Sequence, residues 1–374
     1  MDLELSDDRS FFQETTRKFL ENESPLTTVR ALYEDPAGFD RAWWRRGAEL
    51  GWTGMLVTEE QGGGSLSGEG LVDLVIVAEE FGRLVTPGPL LPTNVVADTI
   101  SRSGSAQQQA DVIPGIVSGD IVATWALSEG GAWDAASVAM TATPAGDGWT
   151  LSGVKTRVEA AVQADQFLVT ARAPQGLTQF LVPAGTAGLT VTPQSSIDMV
   201  RRFGELTFDG VSVPASAVVG TVGGADADVE RQLQVALVLQ VAELCGITGR
   251  VFEFTVEWAF DRHSFGRPLA SYQALKHRFA DMKMHLEASM ASADACARAV
   301  QTGDPEAGKL VSVAKAYVGD NLCEVLQDCV QMFGGIGVTW EHDIHLYLRR
   351  ATLDRALYGS PDDHRERVAV AVGA

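Results

Sequence analysis

The segment that decides the fold runs from residue 121 to 220, where short stretches rich in Val, Thr and Phe alternate with Gly and Pro. They read IVATWALS (121–128), VAMTATPAGDGWTLSG (138–153), QFLVTAR (166–172), QFLVPAG (179–185), GLTVTP (188–193) and ELTFDGVSVP (205–214). Val, Thr and Phe favour strands, and Gly and Pro mark the turns between them. Strands at this spacing predict a small antiparallel barrel or sandwich of about 100 residues.

The sequence on both sides of this segment is helical, with apolar residues at three-to-four spacing. The preceding helices are FFQETTRKFL (11–20), FDRAWWRRGAEL (39–50) and LVDLVIVAEEFGRL (71–84). Three longer helical stretches follow the strands, at 229–260, 271–301 and 305–333. The sequence therefore predicts a mainly helical α+β protein with an N-terminal helical domain (1–120), a middle β domain (121–222) and a C-terminal four-helix bundle (223–374).

The composition and net charge of the chain argue against several classes of protein. The 374 residues are 45% apolar and 21% charged, which excludes a disordered or collagen-like chain. Lys and Arg total 29 against 49 Asp and Glu, a formal charge of −20, which argues against nucleic-acid binding. We expect no transmembrane helix, because no run of 18 apolar residues is free of charges or breaks. The acidic, amphipathic N-terminus lacks signal-peptide features, so we expect a cytoplasmic protein.

Metal binding is not expected. The four cysteines form no CxxC pair, lie in apolar helix-like stretches, and are most simply buried thiols: Cys245, Cys296, Cys323 and Cys329. His342 and His345 are three residues apart, but there is no HExxH motif. A Rossmann domain, a P-loop and a nucleophile elbow are also unsupported, since none of their motifs is present.

Three stretches are candidates for chemistry. WALSEGGAWD (125–134) puts a hydroxyl, an acid and bare backbone in one turn, although a hairpin turn would also explain it. RHSFGRP (262–268) carries two arginines that could clamp an anion or could simply complement a helix dipole. QMFGGIG (331–337) offers open backbone amides to a phosphate, or ends a helix.

Together these stretches resemble the acyl-CoA dehydrogenase family, and the resemblance covers nearly the whole chain. Further family-like pieces occur in order: EEQGGG (59–64), EEFGR (79–83), WTLSGVKTRV (149–158), LTFDGVSVPASAVVG (206–220) and DIHLYLRRA (343–351). The helix–barrel–helix layout is also the family fold. The resemblance implies a FAD-dependent enzyme that introduces an α,β double bond into an acyl-CoA.

The resemblance also implies where FAD would bind. Leu127 and Ser128 would face the isoalloxazine ring, and Val158 and Glu159 would cover its other edge, although the family usually has Trp-x-Thr-like residues there. One subunit would grip the pyrophosphate and adenosine through Arg262, Phe265 and Gln273. A neighbouring subunit would contribute Gln331, Gly334 and Gly335. We therefore expect a homo-oligomer, a dimer or tetramer, or an α2β2 pair with a homologous subunit, and an acceptor similar to electron-transfer flavoprotein.

The catalytic base is not at either position that the family uses. The usual Tyr-Glu-Gly segment is Leu357-Tyr358-Gly359 here, without the glutamate, and the alternative helix position is Ala236, next to Leu237 in place of an arginine. Glu243 is the remaining candidate because it shares a helix face with Ala236 and lies in an apolar run that would raise its pKa. It is about 10 Å along the helix from position 236, so a structural carboxylate is the alternative.

Three functions remain open. The first is an acyl-CoA dehydrogenase with Glu243 as base, acting on bulky or sterol-derived substrates as in the similar actinobacterial subgroup. The second is a flavin-sharing subunit of a heteromeric dehydrogenase with little activity alone. The third is a flavin oxidase or monooxygenase of the same fold.

Overall fold

The computed structural model describes residues 5–373. Six helices form the first part of the chain: α1 (Asp7–Glu23), α2 (Leu26–Ala31), α3 (Arg41–Ala48), α4 (Gly70–Arg83), α5 (Leu90–Ser103) and α6 (Ala106–Val117). Five more follow the sheet: α7 (Asp226–Asp261), α8 (Gln273–Thr302), α9 (Ala307–Phe333), α10 (Ile344–Ala356) and α11 (Pro361–Val372). The predicted order of helices, β region and helices is therefore confirmed.

The middle region is one large sheet in this structure. Its strands are β1 (Ala123–Ala126), β2 (Thr141–Ala145), β3 (Gly148–Glu159), β4 (Gln166–Ala173), β5 (Gly176–Pro183), β6 (Leu189–Gln194), β7 (Phe203–Pro214) and β8 (Val218–Val219). The order is β6-β7-β3-β2-β4-β5-β8, with β1 paired to β4. Most pairs are antiparallel, but β1 and β2 run parallel to β4, so the sheet is mixed. Because β1 enters from a helix and not through a hairpin, its direction is not set by a tight turn.

Helix α7 is the centre of the helical part and packs against α4, α5, α8 and α9. Its contact with α4 depends on two glycines. A Cβ at Gly82 would collide with the carbonyl of Glu243, and a Cβ at Gly246 would collide with the carbonyl of Glu79. Two backbones can approach this closely only where both residues lack a side chain. This close crossing brings Glu79 and Glu243 to the same interhelical contact.

Helix α7 is also long and apolar enough to cross a membrane. Its most apolar 18-residue window has a mean hydropathy of 1.6, and 83% of that window is buried inside the fold. Elsewhere in residues 5–373 no helix meets the same criteria. Burial by neighbouring helices is what a core helix of a globular protein shows.

Candidate active site

A buried lysine forms hydrogen bonds to the turn that follows β1. The Nζ of Lys155 on β3 donates to the carbonyl of Leu127 at 3.0 Å and to Oε1 of Glu129 at 2.5 Å. Burial lowers the pKa of Lys155 to about 8, against the opposing effect of Glu129. Within the described residues the Oγ of Ser128 is buried without a hydrogen-bond partner. The turn is thus rigid and carries one unsatisfied hydroxyl.

An aromatic cluster packs beside this turn. The ring of Tyr358 lies 5.6 Å from that of Trp125, just before the turn, and 4.9 Å from that of Trp133, just after it. The hydroxyl of Tyr358 donates to Oε2 of Glu159 at 3.3 Å. Leu127, Ser128 and Val158 are all buried. Because these three residues are buried, a planar ring system could contact their side chains only if the groups that cover them moved.

Behind the cluster, Arg201 binds three carboxylates from three parts of the chain. Its guanidinium donates to both carboxylate oxygens of Glu159 at 2.8 and 3.0 Å. It also donates to Glu243 at 3.2 Å and to Asp354 at 2.5 Å. These acids belong to β3, α7 and α10, respectively. The residue therefore joins the sheet to the helical bundle.

A second buried arginine continues the network. Arg350 on α10 donates to Oε1 of Glu243 at 2.6 Å and forms an ion pair with Asp198. Burial alone would raise the pKa of Asp198, but the charge and hydrogen bond of Arg350 hold it below its ordinary value. The cavity that remains beside this network, between α4, α5 and α7, measures about 20 Å³. That volume suits one water molecule and not an acyl chain.

The surroundings of Glu243 differ from those expected from its apolar run. The helix neighbours are indeed apolar, but the carboxylate itself accepts hydrogen bonds from two guanidinium groups, those of Arg201 and Arg350. Both arginines come from outside α7, so the local sequence could not reveal them. The expectation of a lone, desolvated carboxylate is therefore wrong, and this arrangement favours the structural alternative for Glu243.

The segment that carries Tyr358 is anchored by two further buried groups. Lys315 on α9 donates to the carbonyl of Leu357 at 3.0 Å and to the side chain of Gln240 at 2.5 Å, and it also bonds to the carbonyl of Asp354. Burial lowers the pKa of Lys315 to about 7. Because its ammonium caps the C-terminal end of α10, it fixes the position of the segment that follows.

His364 anchors the same segment. Because it is buried as a neutral ring, we predict that the stability of the fold depends on pH. Its Nε2 donates to the carbonyl of Tyr358 at 3.0 Å, and its Nδ1 accepts from Ser312 at 3.2 Å. Burial lowers the pKa of His364 to about 4, so the folded protein favours the neutral ring. The unfolded chain takes up a proton near pH 6.5, and stability is therefore complete above that pH. It should fall by roughly 3 kcal/mol as the pH drops from 6.5 to 4.

Urea unfolding between pH 4 and 7 measures this effect. His364→Gln should flatten the pH dependence by the His364 contribution, whereas the same change at the exposed His277 should leave it intact. An unaltered slope in His364→Gln would show that other groups cause the acid sensitivity.

The remaining predicted cofactor residues form a separate, exposed surface. The loop after α7 carries Arg262 and Phe265, and Phe265 is 97% exposed with a φ of 50°. The turn after α9 carries Gly334 and Gly335, where a Cβ would meet nothing within 4 Å. Gln273 and Gln331 are exposed as well. Packing within the chain explains neither the exposed ring nor the open glycines.

Trp258 connects the loop to the turn. Its ring stacks on Phe333 with centroids 5.2 Å apart, and its Nε1 donates to the carbonyl of Met332 at 3.3 Å. The guanidinium of Arg262 lies 5.9 Å from the ring of Trp258. Through Trp258, the loop after α7 and the turn after α9 lie on one surface of the chain. That Arg262 and Gly334 serve one flavin site from two subunits stays a prediction. We call this surface, formed by 262–273 and 331–335, the exposed cradle.

Comparison with known proteins identifies the family. The N-terminal, middle and C-terminal domain models of acyl-CoA dehydrogenase match residues 6–120, 124–211 and 224–373. The chain belongs to the acyl-CoA dehydrogenase family. It is thus an oxidoreductase of the class that carries out the flavin-dependent dehydrogenation of acyl-CoA.

Several relatives and solved structures are similar over their whole length. The acyl-CoA dehydrogenase IpdE2 of Mycolicibacterium smegmatis is 29% identical, over 98% of this chain and 100% of its own. A variant of the Tcur3481-Tcur3483 steroid ACAD is 31% identical with a TM-score of 0.89, covering 98% of both chains. The ChsE4-ChsE5 complex from Mycobacterium tuberculosis contains a chain that is 26% identical with a TM-score of 0.88, covering 100% of this chain and 99% of that one.

The two parts of the expected flavin site fit a flavin differently. The exposed cradle has an accessible arginine, an exposed aromatic ring and glycines with open space, which suits a phosphate and a flat base. At the turn after β1, the unpartnered Ser128 hydroxyl suits a ligand atom, but Leu127, Ser128 and Val158 are buried, and Tyr358 packs against Trp125 and Trp133 beside them.

Sequence reasoning missed Lys155, Arg201, Arg350 and the aromatic cluster. Tyr358 had a signal, since it precedes Gly359 at the place of the family glutamate. Arg201 and Arg350 are 149 residues apart and meet at Glu243 and Asp198. No local motif marks such a pair.

Proposed function

We propose that this chain is the flavin-sharing subunit of an acyl-CoA dehydrogenase built from two homologous chains, with FAD as the flavin. In that assembly the exposed cradle binds the pyrophosphate and adenosine of FAD, and the partner encloses the isoalloxazine ring and the acyl-CoA. The observation that carries the proposal is the contrast between a closed ring site and an open cradle on one chain.

The small cavity beside the ion network supports the proposal through its volume, because it leaves no room for an acyl chain. Ligand pockets commonly measure about 300–1,000 Å³. The cavity between α4, α5 and α7 measures about 20 Å³ and is bordered by the charged network of Arg201 and Arg350. A charged, buried network is a poor surface for an acyl chain, because opening it would leave buried charges unpaired.

The exposed cradle supports the proposal through its apolar surface. Phe265, Val338 and Trp340 lie on or beside it and are 97%, 77% and 52% exposed. Large apolar side chains that cluster on a surface mark an interaction site. A homologous subunit that covers this surface would bury them together with the flavin.

The absence of the family's base at both of its usual positions supports a partner chain that supplies the catalytic residues. The two family positions for the base hold Tyr358 and Ala236, and the family arginine beside the second is Leu237. The base and the contacts to CoA would then come from the partner. Because similar proteins are named as a steroid ACAD and as a two-component complex, we propose a bulky, steroid-derived acyl-CoA as substrate. A cytoplasmic location and an acceptor similar to electron-transfer flavoprotein complete the proposal.

A homo-oligomer with complete sites is the second candidate. The unpartnered hydroxyl of Ser128 favours it, since a ring-bound flavin would satisfy this group. This candidate requires that Tyr358 leave the aromatic cluster when flavin binds, and it keeps Glu243 as the predicted base.

Flavin content distinguishes the two candidates. The chain should be purified alone and after co-expression with a homologous acyl-CoA dehydrogenase chain that carries the family glutamate. We expect little flavin in the chain alone and one FAD for each pair of chains in the complex, measured by absorbance after denaturation. One FAD for every chain in a homo-oligomer would contradict the shared-site proposal.

A further inference from the structure

A second recess lies on the opposite faces of α4 and α7 from the buried ion network. It has a volume of about 270 Å³ and is enclosed by α1, α4, α7 and α8. Ala78 and Phe81 of α4 face the network, whereas Val75, Ile76 and Glu79 face this recess. The recess is therefore separate from the cavity beside the ion network.

The walls of the recess are mainly apolar, but they include the carboxyl group of Glu79. Ala242, Cys245, Met290 and Ala293 contribute to the apolar surface. Glu79 also lines it, and within residues 5–373 its side chain forms no hydrogen bond or ion pair. Burial, and then the charge of Glu80, raise the pKa of Glu79 to about 7, against the opposing charges of Arg83 and Arg17 and with a small further contribution from Glu253.

The other charged groups around the recess have partners. Arg9 pairs with Glu69 and Asp73, both at 2.8 Å. Arg298 pairs with Asp294 at 2.9 Å, and Glu287 pairs with Lys283 at 2.5 Å. Glu79 is thus the acid in the recess that remains available to a ligand.

A half-buried carboxyl group among apolar side chains has lost part of its contact with water, and a ligand that donates to it restores a hydrogen bond. A leucine or methionine at this position of α4 would pack against the same walls without that cost. The recess is also larger than an engineered apolar cavity of about 150 Å³ that accepts benzene. Its size and its single acceptor together describe a ligand with an apolar body and one donor group.

We propose that this recess binds a small apolar molecule with one hydrogen-bond donor, an alcohol or an amine, whose donor group is held by the carboxyl group of Glu79. The apolar part lies against Met290, Ala293 and the facing side of α4. The proposal does not depend on how the flavin is shared.

Calorimetric titration of the intact protein with 1-octanol, octylamine and octanoate tests this site. We expect the alcohol and the amine to bind, and octanoate, which has no donor and carries a like charge, to bind at least about tenfold more weakly. Octylamine affinity should rise between pH 6 and 8 as Glu79 ionises.

Two variants and a control complete the test. Glu79→Gln keeps the shape and an acceptor, so it should weaken octylamine by about tenfold or more and octanol by less. Ala291→Phe fills the recess and should abolish binding of both, while Glu21→Gln, an exposed acid on the same protein, should change nothing. Absence of binding by both ligands, equal binding of octanoate, or unchanged binding in Ala291→Phe would overturn the proposal.

Discussion

Replacing Arg350 with methionine should lower the free energy of unfolding by about 3–5 kcal/mol, the typical cost of removing one partner from a buried ion pair. Arg350 is almost fully buried and binds Glu243 at 2.6 Å and the carboxylate of Asp198. Without it, two acids remain in the interior with one positive group fewer. Urea unfolding at pH 7 measures the loss.

A neighbouring arginine and a double variant provide the controls. Arg349→Met, at a half-buried position with one hydrogen bond to the carbonyl of Ile197 at 3.3 Å, should cost much less. Adding Asp198→Asn to Arg350→Met removes an uncompensated charge and should recover part of the loss, so that the two effects are not additive. Equal stability of Arg349→Met and Arg350→Met would show that the network contributes nothing specific.

Removing the guanidinium of Arg262 should weaken flavin retention by roughly 10- to 150-fold in the assembled enzyme. That range corresponds to the roughly 1.5–3 kcal/mol of a hydrogen bond to a charged group. Arg262 is exposed beside Trp258 and is free to reach a phosphate from the cradle. Fluorescence of released flavin during dilution gives the dissociation constant for wild type and Arg262→Ala.

The matched control is Arg45→Ala. Arg45 is also exposed and pairs with Asp120 at 2.6 Å, but it lies on α3, away from the cradle segments. Its loss should leave flavin affinity unchanged. If Arg262→Ala also leaves flavin affinity unchanged, the cradle is not the phosphate site, and the assignment of the exposed glycines fails with it.

The fold could be predicted because its helices and strands follow from the local spacing of apolar and turn-forming residues. The alternation of short β-rich segments with Gly and Pro identified the sheet, and the three-to-four spacing identified α1, α4 and α7–α9. The parallel pairing of β1 with β4 could not be predicted, since strand direction here depends on where α6 delivers the chain. The close crossing of α4 and α7 at Gly82 and Gly246 could not be predicted either, because it depends on how the two helices pack together.

The candidate site was predictable only where it is contiguous in sequence. The exposed cradle consists of two short segments, and both were identified as motifs. The ion network joins residues 159, 198, 201, 243, 350 and 354, which no motif or period connects. Glu243 illustrates the difference, because its helix neighbours predicted a desolvated acid and its tertiary neighbours are two arginines.

We propose that this chain shares a flavin and does not dehydrogenate acyl-CoA by itself. Anaerobic titration with steroid-derived and straight-chain acyl-CoAs tests this, on the chain alone and on the complex, both with added FAD, following loss of the flavin absorbance. We predict that the chain alone is not bleached by any of them, and that the complex with the glutamate-bearing homologue is bleached at the same rate with wild type or Glu243→Gln. Bleaching of the chain alone that Glu243→Gln slows by about 10²–10⁴-fold, the usual effect of removing a general base, would contradict the account.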